Sequence, residues 1–149
     1  MLSSAAARTY FRVRRTPDGG IAIRLINDSG ANSIRGTIVS ASLNVDAGFR
    51  TVGANSIVPF GVVYESDIPD GQYCWVVIQG MADVLLKDGT GSTRGNWVGV
   101  SDTAGRADAS SHPGSTPPDA AVHNREIGHC LQTVAAGTDV LTRCILHFN

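Results

Sequence analysis

Glycine and proline interrupt this 149-residue chain at short intervals, and the segments between them are rich in β-branched and aromatic residues. The 17 glycines and 6 prolines supply the positive or fixed φ angles that tight turns need. Short runs bounded by turn residues are typical of antiparallel sheets, and no segment sustains an amphipathic helical period. The spacing therefore predicts an all-β fold, with room for a helical turn only at residues 119–125 and 135–136.

The predicted strands follow one another along the whole chain. An N-terminal hairpin joins residues 10–14 to residues 21–26 through the turn Thr-Pro-Asp-Gly-Gly at 16–20. Later strands are predicted at residues 36–42, 49–52, 56–64, 72–87, 96–101, 105–108, 126–134 and 141–148. Gly80 is expected to mark a bulge or bend in the longest of them. Strands of this number and length favour a small antiparallel β-barrel or a sandwich.

Two segments depart from this rhythm. Residues 1–30 are interpreted as an N-terminal arm or hairpin, which leaves residues 31–149 as the β-barrel domain. Within the hairpin, Phe11 and Val13 alternate with arginines, so one face is expected to pack inward and the other to be cationic. Residues 108–124 contain three prolines and many small polar residues, and they predict one long, exposed, Pro-rich loop with little secondary structure.

Charge and composition argue against several classes of function. The 12 basic and 13 acidic side chains give a net charge of -1, which does not favour a nucleic-acid or membrane partner. Residues 1–7 lack the apolar core of a secretory signal, and the apolar run at 74–78 is far shorter than the roughly 20 residues of a membrane span. The 3 cysteines form no C-x-x-C pair, which favours free thiols in a reducing cytoplasm.

The histidines and cysteines are the residues most suited to a metal. His129 and Cys130 are adjacent, and Cys144 and His147 are separated by an odd number of positions. In strands, each of these pairs would project to opposite faces of the sheet. We therefore expect core thiols and surface imidazoles rather than a zinc site.

Other combinations that carry chemistry are also missing from the sequence. No serine occupies a G-x-S-x-G elbow, and the Gly-rich stretch at 88–95 lacks the Gly-Lys-Ser/Thr ending of a phosphate loop, so it is interpreted as a connection between strands. The aspartates lie mostly beside turn residues, where they bond to the backbone more often than they act in catalysis. The sequence predicts no catalytic residue, no cofactor and no enzyme. A small hydrolase that acts through Asp or His in residues 108–124 is the weakest alternative.

Several motifs in the last two thirds of the chain keep a fixed order. They are Pro-Phe-Gly-Val-Val-Tyr-Glu at 59–65, Cys-Trp-Val-Val-Ile-Gln-Gly-Met-Ala-Asp-Val-Leu at 74–85, Gly-Asn-Trp-Val-Gly-Val-Ser at 95–101, Gly-Arg-Ala at 105–107, Glu-Ile-Gly-His-Cys-Leu at 126–131 and Leu-His-Phe-Asn at 146–149. In this order, residues 57–149 resemble the small head proteins of tailed bacteriophages.

The resemblance implies a virion structural protein, a capsid decoration or cement subunit that binds the outer surface of the head and stabilises it. Such proteins are commonly homotrimers, so the implied partners are the major capsid protein and further copies of this chain. No cofactor is implied. The protein would be made in the bacterial host cytoplasm and end on the capsid surface of the virion. A tail, fibre-base or head-tail connector module of similar β architecture is the alternative.

The resemblance leaves out the first residues of the chain, which are candidates for an arm that contacts the capsid or a neighbouring subunit. Such an arm can add a strand to an open sheet edge, and its arginines can pair with capsid carboxylates. It is equally well interpreted as a hairpin that completes its own barrel. Together with the Pro-rich loop, the candidate contact residues are Tyr10, Phe11, Arg12, Arg14, Arg15, His112, Pro113, Pro117 and Pro118.

Overall fold

The computed structural model describes residues 12–110 and 119–149. Within these residues the elements are β1 (Val13–Arg15), β2 (Gly20–Asn27), β3 (Ile38–Ala41), β4 (Gly48–Thr51), β5 (Gly61–Val63), β6 (Tyr73–Leu85), β7 (Thr90–Ser92), β8 (Trp97–Val100), β9 (Ala107–Ser110), α1 (Ala120–Arg125), β10 (Glu126–Cys130), β11 (Val134–Gly137) and β12 (Leu141–Leu146). The prediction of an all-β fold is confirmed. No helix of the described part of the chain is long and apolar enough to span a membrane.

Ten strands form one mixed sheet in the order β1-β2-β4-β3-β5-β6-β12-β10-β8-β9. Strand β2 also pairs with β6, so β2, β4, β3, β5 and β6 form a closed cycle of paired neighbours. The prediction of a purely antiparallel sheet is wrong at one pair, because β2 and β4 run parallel, with Ile26 opposite Gly48. Strand β3 runs opposite to β2, and β4 runs opposite to β3, so β4 has the same direction as β2.

The predicted N-terminal hairpin is present in the described residues as β1 and β2, joined by a turn at residues 16–19. Thr16 closes this turn, since its hydroxyl accepts a hydrogen bond from Gly20 N at 2.9 Å. Beyond the hairpin, β2 pairs with β6 from Gly20 opposite Gly80 to Ile26 opposite Tyr73. The hairpin is therefore joined to the main sheet by backbone pairing.

Strand β6 bends at Gly80, as the sequence predicts. Gly80 has φ +81, and a Cβ built there would lie 2.6 Å from the carbonyl oxygen of Gly19. Before this residue β6 pairs with β2, and from Gly80 onward it pairs with β12. A side chain at this position would be strained by the backbone conformation and would push the β1–β2 turn away from β6.

The core covers both faces of the central strands. Neighbouring residues such as Val62 and Val63 in β5, or Val76 and Val77 in β6, are fully or almost fully buried. Val62 and Val77 belong to a large apolar cluster, whereas Val63 and Val76 belong to a smaller cluster. Because successive side chains point to opposite faces of a strand, the two clusters lie on opposite sides of these strands. This explains the continuous apolar runs there.

Several predicted segments differ from the structure, among them the strand predicted at 126–134, which ends as β10 at Cys130 before β11 begins at Val134. Residues 88–95 were expected to be a connection and residues 135–136 a helical turn, but they contain β7 and β11, which pair in a second small sheet. In the predicted Pro-rich loop at 108–124, the first described residues belong to β9 and the last to α1, which confirms the helical turn predicted at 119–125. Ser110 pairs with Trp97, and α1 begins after Asp119, whose Oδ1 accepts a hydrogen bond from Val122 N at 2.8 Å. Pairing with β8 explains the strand at the first end of this segment, and the N-cap at Asp119 explains the helix at the other end.

Candidate functional site

Strand β1 forms one border of the large sheet. It pairs with β2 on one side, with Val13 opposite Ile23 and Arg15 opposite Ile21. Among the residues that the structure describes, no strand pairs with its other side. All three residues of β1 are exposed. An unpaired strand edge presents a row of backbone N–H and C=O groups, which is the arrangement that a partner strand needs.

The outer face of the hairpin carries exposed apolar side chains. One of them is Val13, which the sequence analysis expected to pack into the core. Val13 is 61% exposed and Ile21 is 37% exposed. The register places Val13 beside Ile23 and Arg15 beside Ile21, so these four side chains project to the same face. The expectation that Val13 packs inward is therefore wrong, because it is Arg14 that lies on the inner side of β1, opposite buried Ala22.

Two aromatic rings hold the side chain of Arg14. Its guanidinium carbon lies 4.5 Å from the ring centroid of Trp75 and 5.5 Å from that of Tyr64. Both rings pack against the larger core cluster. Cation–π contacts of this kind fix the position of the guanidinium. All three arginines predicted to contact the capsid are exposed, and Arg14 among them also contacts aromatic rings of its own chain.

The remaining predicted contact residues lie outside the described residues, and the contact predictions as a whole stay predictions. Those outside are Tyr10, Phe11, His112, Pro113, Pro117 and Pro118.

An ionic network fixes the turn between β1 and β2 to the rest of the sheet. Arg35 Nη2 donates to Asp18 Oδ2 at 2.8 Å and to Asp83 Oδ2 at 3.0 Å. Arg143 Nε donates to Asp83 Oδ1 at 2.6 Å. Partial burial on its own would raise the pKa of Asp83, but the hydrogen bonds from Arg143 and Arg35 outweigh it and hold the pKa below its ordinary value. The charged carboxylate therefore stabilises the network.

A second polar cluster lies where β10 begins and β12 ends. His129 Nδ1 and His147 Nε2 are 3.2 Å apart, and the two rings are stacked with centroids 5.3 Å apart. Glu126 Oε1 lies 3.4 Å from His147 Nε2 and 3.8 Å from His129 Nε2. His123 Nδ1, on α1, lies 3.7 Å from the other carboxylate oxygen of Glu126. One carboxylate is thus surrounded by three imidazoles.

The bulge in β10 brings this cluster together. The register shifts between Glu126 and Gly128, where Gly128 has φ +152. As a result, Ile127 and Cys130 are buried, whereas Glu126 and His129 share the outer side of the strand. Sequence reasoning weighed His129 and His147 only with their neighbouring cysteines and missed this set. The available signal was an acidic residue three positions before a histidine, with glycine between them in a strand.

The cysteines belong to the core. Cys130 lies directly opposite Cys144 on neighbouring strands, and both are buried. His129 and His147 are exposed, so the prediction that each histidine and its nearby cysteine face opposite sides of the sheet is confirmed. Cys74 is also buried, and its burial raises the pKa of the thiol to about 11. All three thiols are thus buried, where cysteine packs as a small apolar side chain.

Comparison with known proteins finds a similar fold among the solved structures but no match in sequence. No protein-family model matches the chain, and no curated protein sequence matches it. Among solved structures, the crystal structure of the N base of head fiber gp8.5 from bacteriophage phi29 is similar, with a TM-score of 0.55 and 14% sequence identity. The alignment covers 85% of this chain and 92% of that chain. The chain is therefore similar in fold to the N base of a bacteriophage head fiber.

Proposed function

We propose that this protein is a structural component of a tailed-phage virion that binds the outer surface of the head as a capsid decoration subunit. The fold likeness to the N base of a phage head fiber, over 85% of the chain, is the observation that carries the proposal. The motifs of residues 57–149, which resemble those of small phage head proteins, support it from a separate direction. The proposal assigns the chain no catalytic role and no cofactor.

The edge of β1 is the proposed contact with the major capsid protein or with a second copy of the chain. On its outer side no described strand pairs with its backbone groups, which suits the addition of a partner strand, and the exposed side chains of Val13 and Ile21 offer apolar surface beside that edge. The net charge of -1 fits a protein partner better than packaged DNA. Many copies on one head would stabilise it by multivalent contact, even where each contact is weak.

A second candidate is the base of a fibre that projects from the head. The printed description of the similar structure, a head fiber N base, favours it. In this candidate the β domain would join the head surface to a fibre that extends outward. The two candidates differ in whether a fibre projects outward from the β domain that binds the head.

Purified virions of the phage that encodes this chain provide the test. Heads and tails are separated on a density gradient, and the ratio of this chain to the major capsid protein is measured by quantitative mass spectrometry. A ratio near a simple lattice fraction in the head fraction supports a head-bound subunit, and electron micrographs of the same heads show whether a fibre projects from it. Recovery in the tail fraction alone, or absence from virions, overturns the proposal.

The proposed homotrimer is tested on the isolated protein. Size-exclusion chromatography with light scattering is expected to give three times the subunit mass at the concentrations used for binding. A monomer mass throughout that range contradicts the trimer. It does not affect the proposed location on the head, which the virion experiment tests, so each part of the proposal can fail without the other.

A further inference from the structure

We propose that Glu126, His129 and His147 form a binding site for a divalent transition metal ion, with Zn²⁺ as the favoured ion. The three side chains each offer one ligand atom, and these atoms lie within 4.8 Å of one another. The inference rests on the geometry of this cluster and does not depend on the proposed function.

The distances match the spacing of ligands around zinc. Zinc in proteins is tetrahedral with metal–ligand bonds of about 2.0 Å, which places neighbouring ligand atoms about 3.3 Å apart. His147 Nε2 lies 3.2 Å from His129 Nδ1 and 3.4 Å from Glu126 Oε1. Two edges of such a tetrahedron are thus already present, and the third pair of ligand atoms lies within 4.8 Å.

The ligand chemistry selects the class of metal. Two imidazoles and one carboxylate suit Zn²⁺ and related transition metals, whereas Mg²⁺ and Ca²⁺ prefer sites made of oxygen ligands alone. The side chain of Glu126 is only 13% exposed, so its negative charge is partly removed from water and gains from a nearby cation. A metal ion also accepts both imidazole lone pairs, whereas a hydrogen bond between the rings uses only one of them.

The surroundings leave one coordination position open. The side chains of His129 and His147 are 46% and 47% exposed, so water reaches the outer side of the cluster. His123 lies on the other oxygen of the Glu126 carboxylate, at 3.7 Å. We therefore assign water as the fourth ligand.

A bound metal would fasten the last residues of the chain to the start of β10. His147 follows β12, and its backbone N donates to Ile127 O at 2.9 Å. The side-chain amide of Asn149 donates to His123 O at 2.8 Å. The ligand set thus joins a segment after β12 to the α1–β10 junction. Since the unfolded chain lacks this arrangement, metal binding stabilises the folded state.

The test is a titration of the full chain, without a histidine tag, with Co²⁺ as a spectroscopic probe and Zn²⁺ as competitor. We expect the visible absorption of tetrahedral Co²⁺, its displacement by Zn²⁺, and no near-ultraviolet thiolate band. His129→Ala, His147→Ala and Glu126→Gln should each weaken binding by roughly tenfold or more. Zn²⁺ should raise the melting temperature of the unaltered chain and not that of His147→Ala.

Ile145→Val is the matched control. Ile145 is 39% exposed and lies directly opposite His129, and its side chain has no ligand atom. Its metal affinity should stay within about twofold of the unaltered chain, given the usual small effect of exposed apolar substitutions. Circular dichroism checks that each variant is folded. If a histidine variant does not fold, Glu126→Gln still tests the site, because this change preserves the side-chain volume. Equal affinity in all variants, octahedral Co²⁺ or a thiolate band overturns the proposal.

Discussion

The carboxylate of Asp83 connects three segments that are distant in sequence. It accepts hydrogen bonds from Arg35, which precedes β3, and from Arg143 in β12, and Arg35 in turn holds Asp18 in the β1–β2 turn. The side chain of Asp83 is 18% exposed, so these charges interact through a medium less polar than bulk water. A single residue of β6 thereby helps to hold the hairpin against the sheet.

Asp83→Asn should lower the free energy of unfolding by about 1–2 kcal/mol near neutral pH, a value reduced for solvent screening. The folded-state pKa of Asp83 lies below its ordinary value of 3.8. Its contribution is therefore fully present above that value and is lost as the pH falls through the folded-state pKa. Urea denaturation of both proteins from pH 7 down to pH 3 should show that the difference between their free energies of unfolding becomes smaller.

Asp46→Asn, at an exposed position, is the control and should change stability little. A difference that is constant with pH contradicts the role of the charge.

At the scale of the element, the bulge in β10 depends on Gly128. Its φ of +152 is unfavourable for residues with a side chain, and a Cβ there would overlap the carbonyl group of Ile145 on β12. The bulge aligns Glu126 with His129 and also lets β10 pair with β8 on one side and β12 on the other. One glycine therefore positions both the polar cluster and the centre of this half of the sheet.

Gly128→Ala should destabilise the protein by about 3 kcal/mol or more, because it combines backbone strain with a steric clash against a paired strand. Chemical denaturation measures this loss, and a failure to fold is the extreme of the same effect. Gly53→Ala is the matched control, since no atom lies within 4 Å of a Cβ built at Gly53. Similar stability of the two variants would show that β10 accommodates a side chain at the bulge.

At the scale of the whole molecule, assembly is expected to depend on the outer edge of β1, with which no other described strand pairs. Val13→Lys places a charge on the exposed apolar face beside that edge, which is a common way to block strand addition. It should weaken cosedimentation with phage heads by at least about tenfold, or about 1.4 kcal/mol, without changing stability. Ile57→Lys is the control, because Ile57 is also an exposed apolar residue, 49% accessible, but lies between β4 and β5. Equal loss of binding in both variants would mean that the β1 edge is not the contact.

Local chemistry in the sequence was sufficient for several parts of this fold. The turn at residues 16–19, the bend at Gly80 and the capped helix after Asp119 each follow from the conformational preferences of a few neighbouring residues. The opposite orientation of His129 and Cys130 follows from the period of a strand. These features involve residues close together in the chain, so a short stretch of sequence is enough to predict each of them.

Tertiary structure alone decided which segments meet. The parallel pairing of β2 with β4, the pairing of β7 with β11 and the place of Arg14 on Trp75 join residues that are separated in sequence. The cluster of Glu126, His129 and His147 exists because a bulge rotates one strand while a neighbouring strand ends beside it. Sequence determined the all-β character through turn residues and alternation, whereas long-range burial and backbone pairing selected the sheet order. Those energies depend on the whole folded chain, so no local stretch of sequence specifies them.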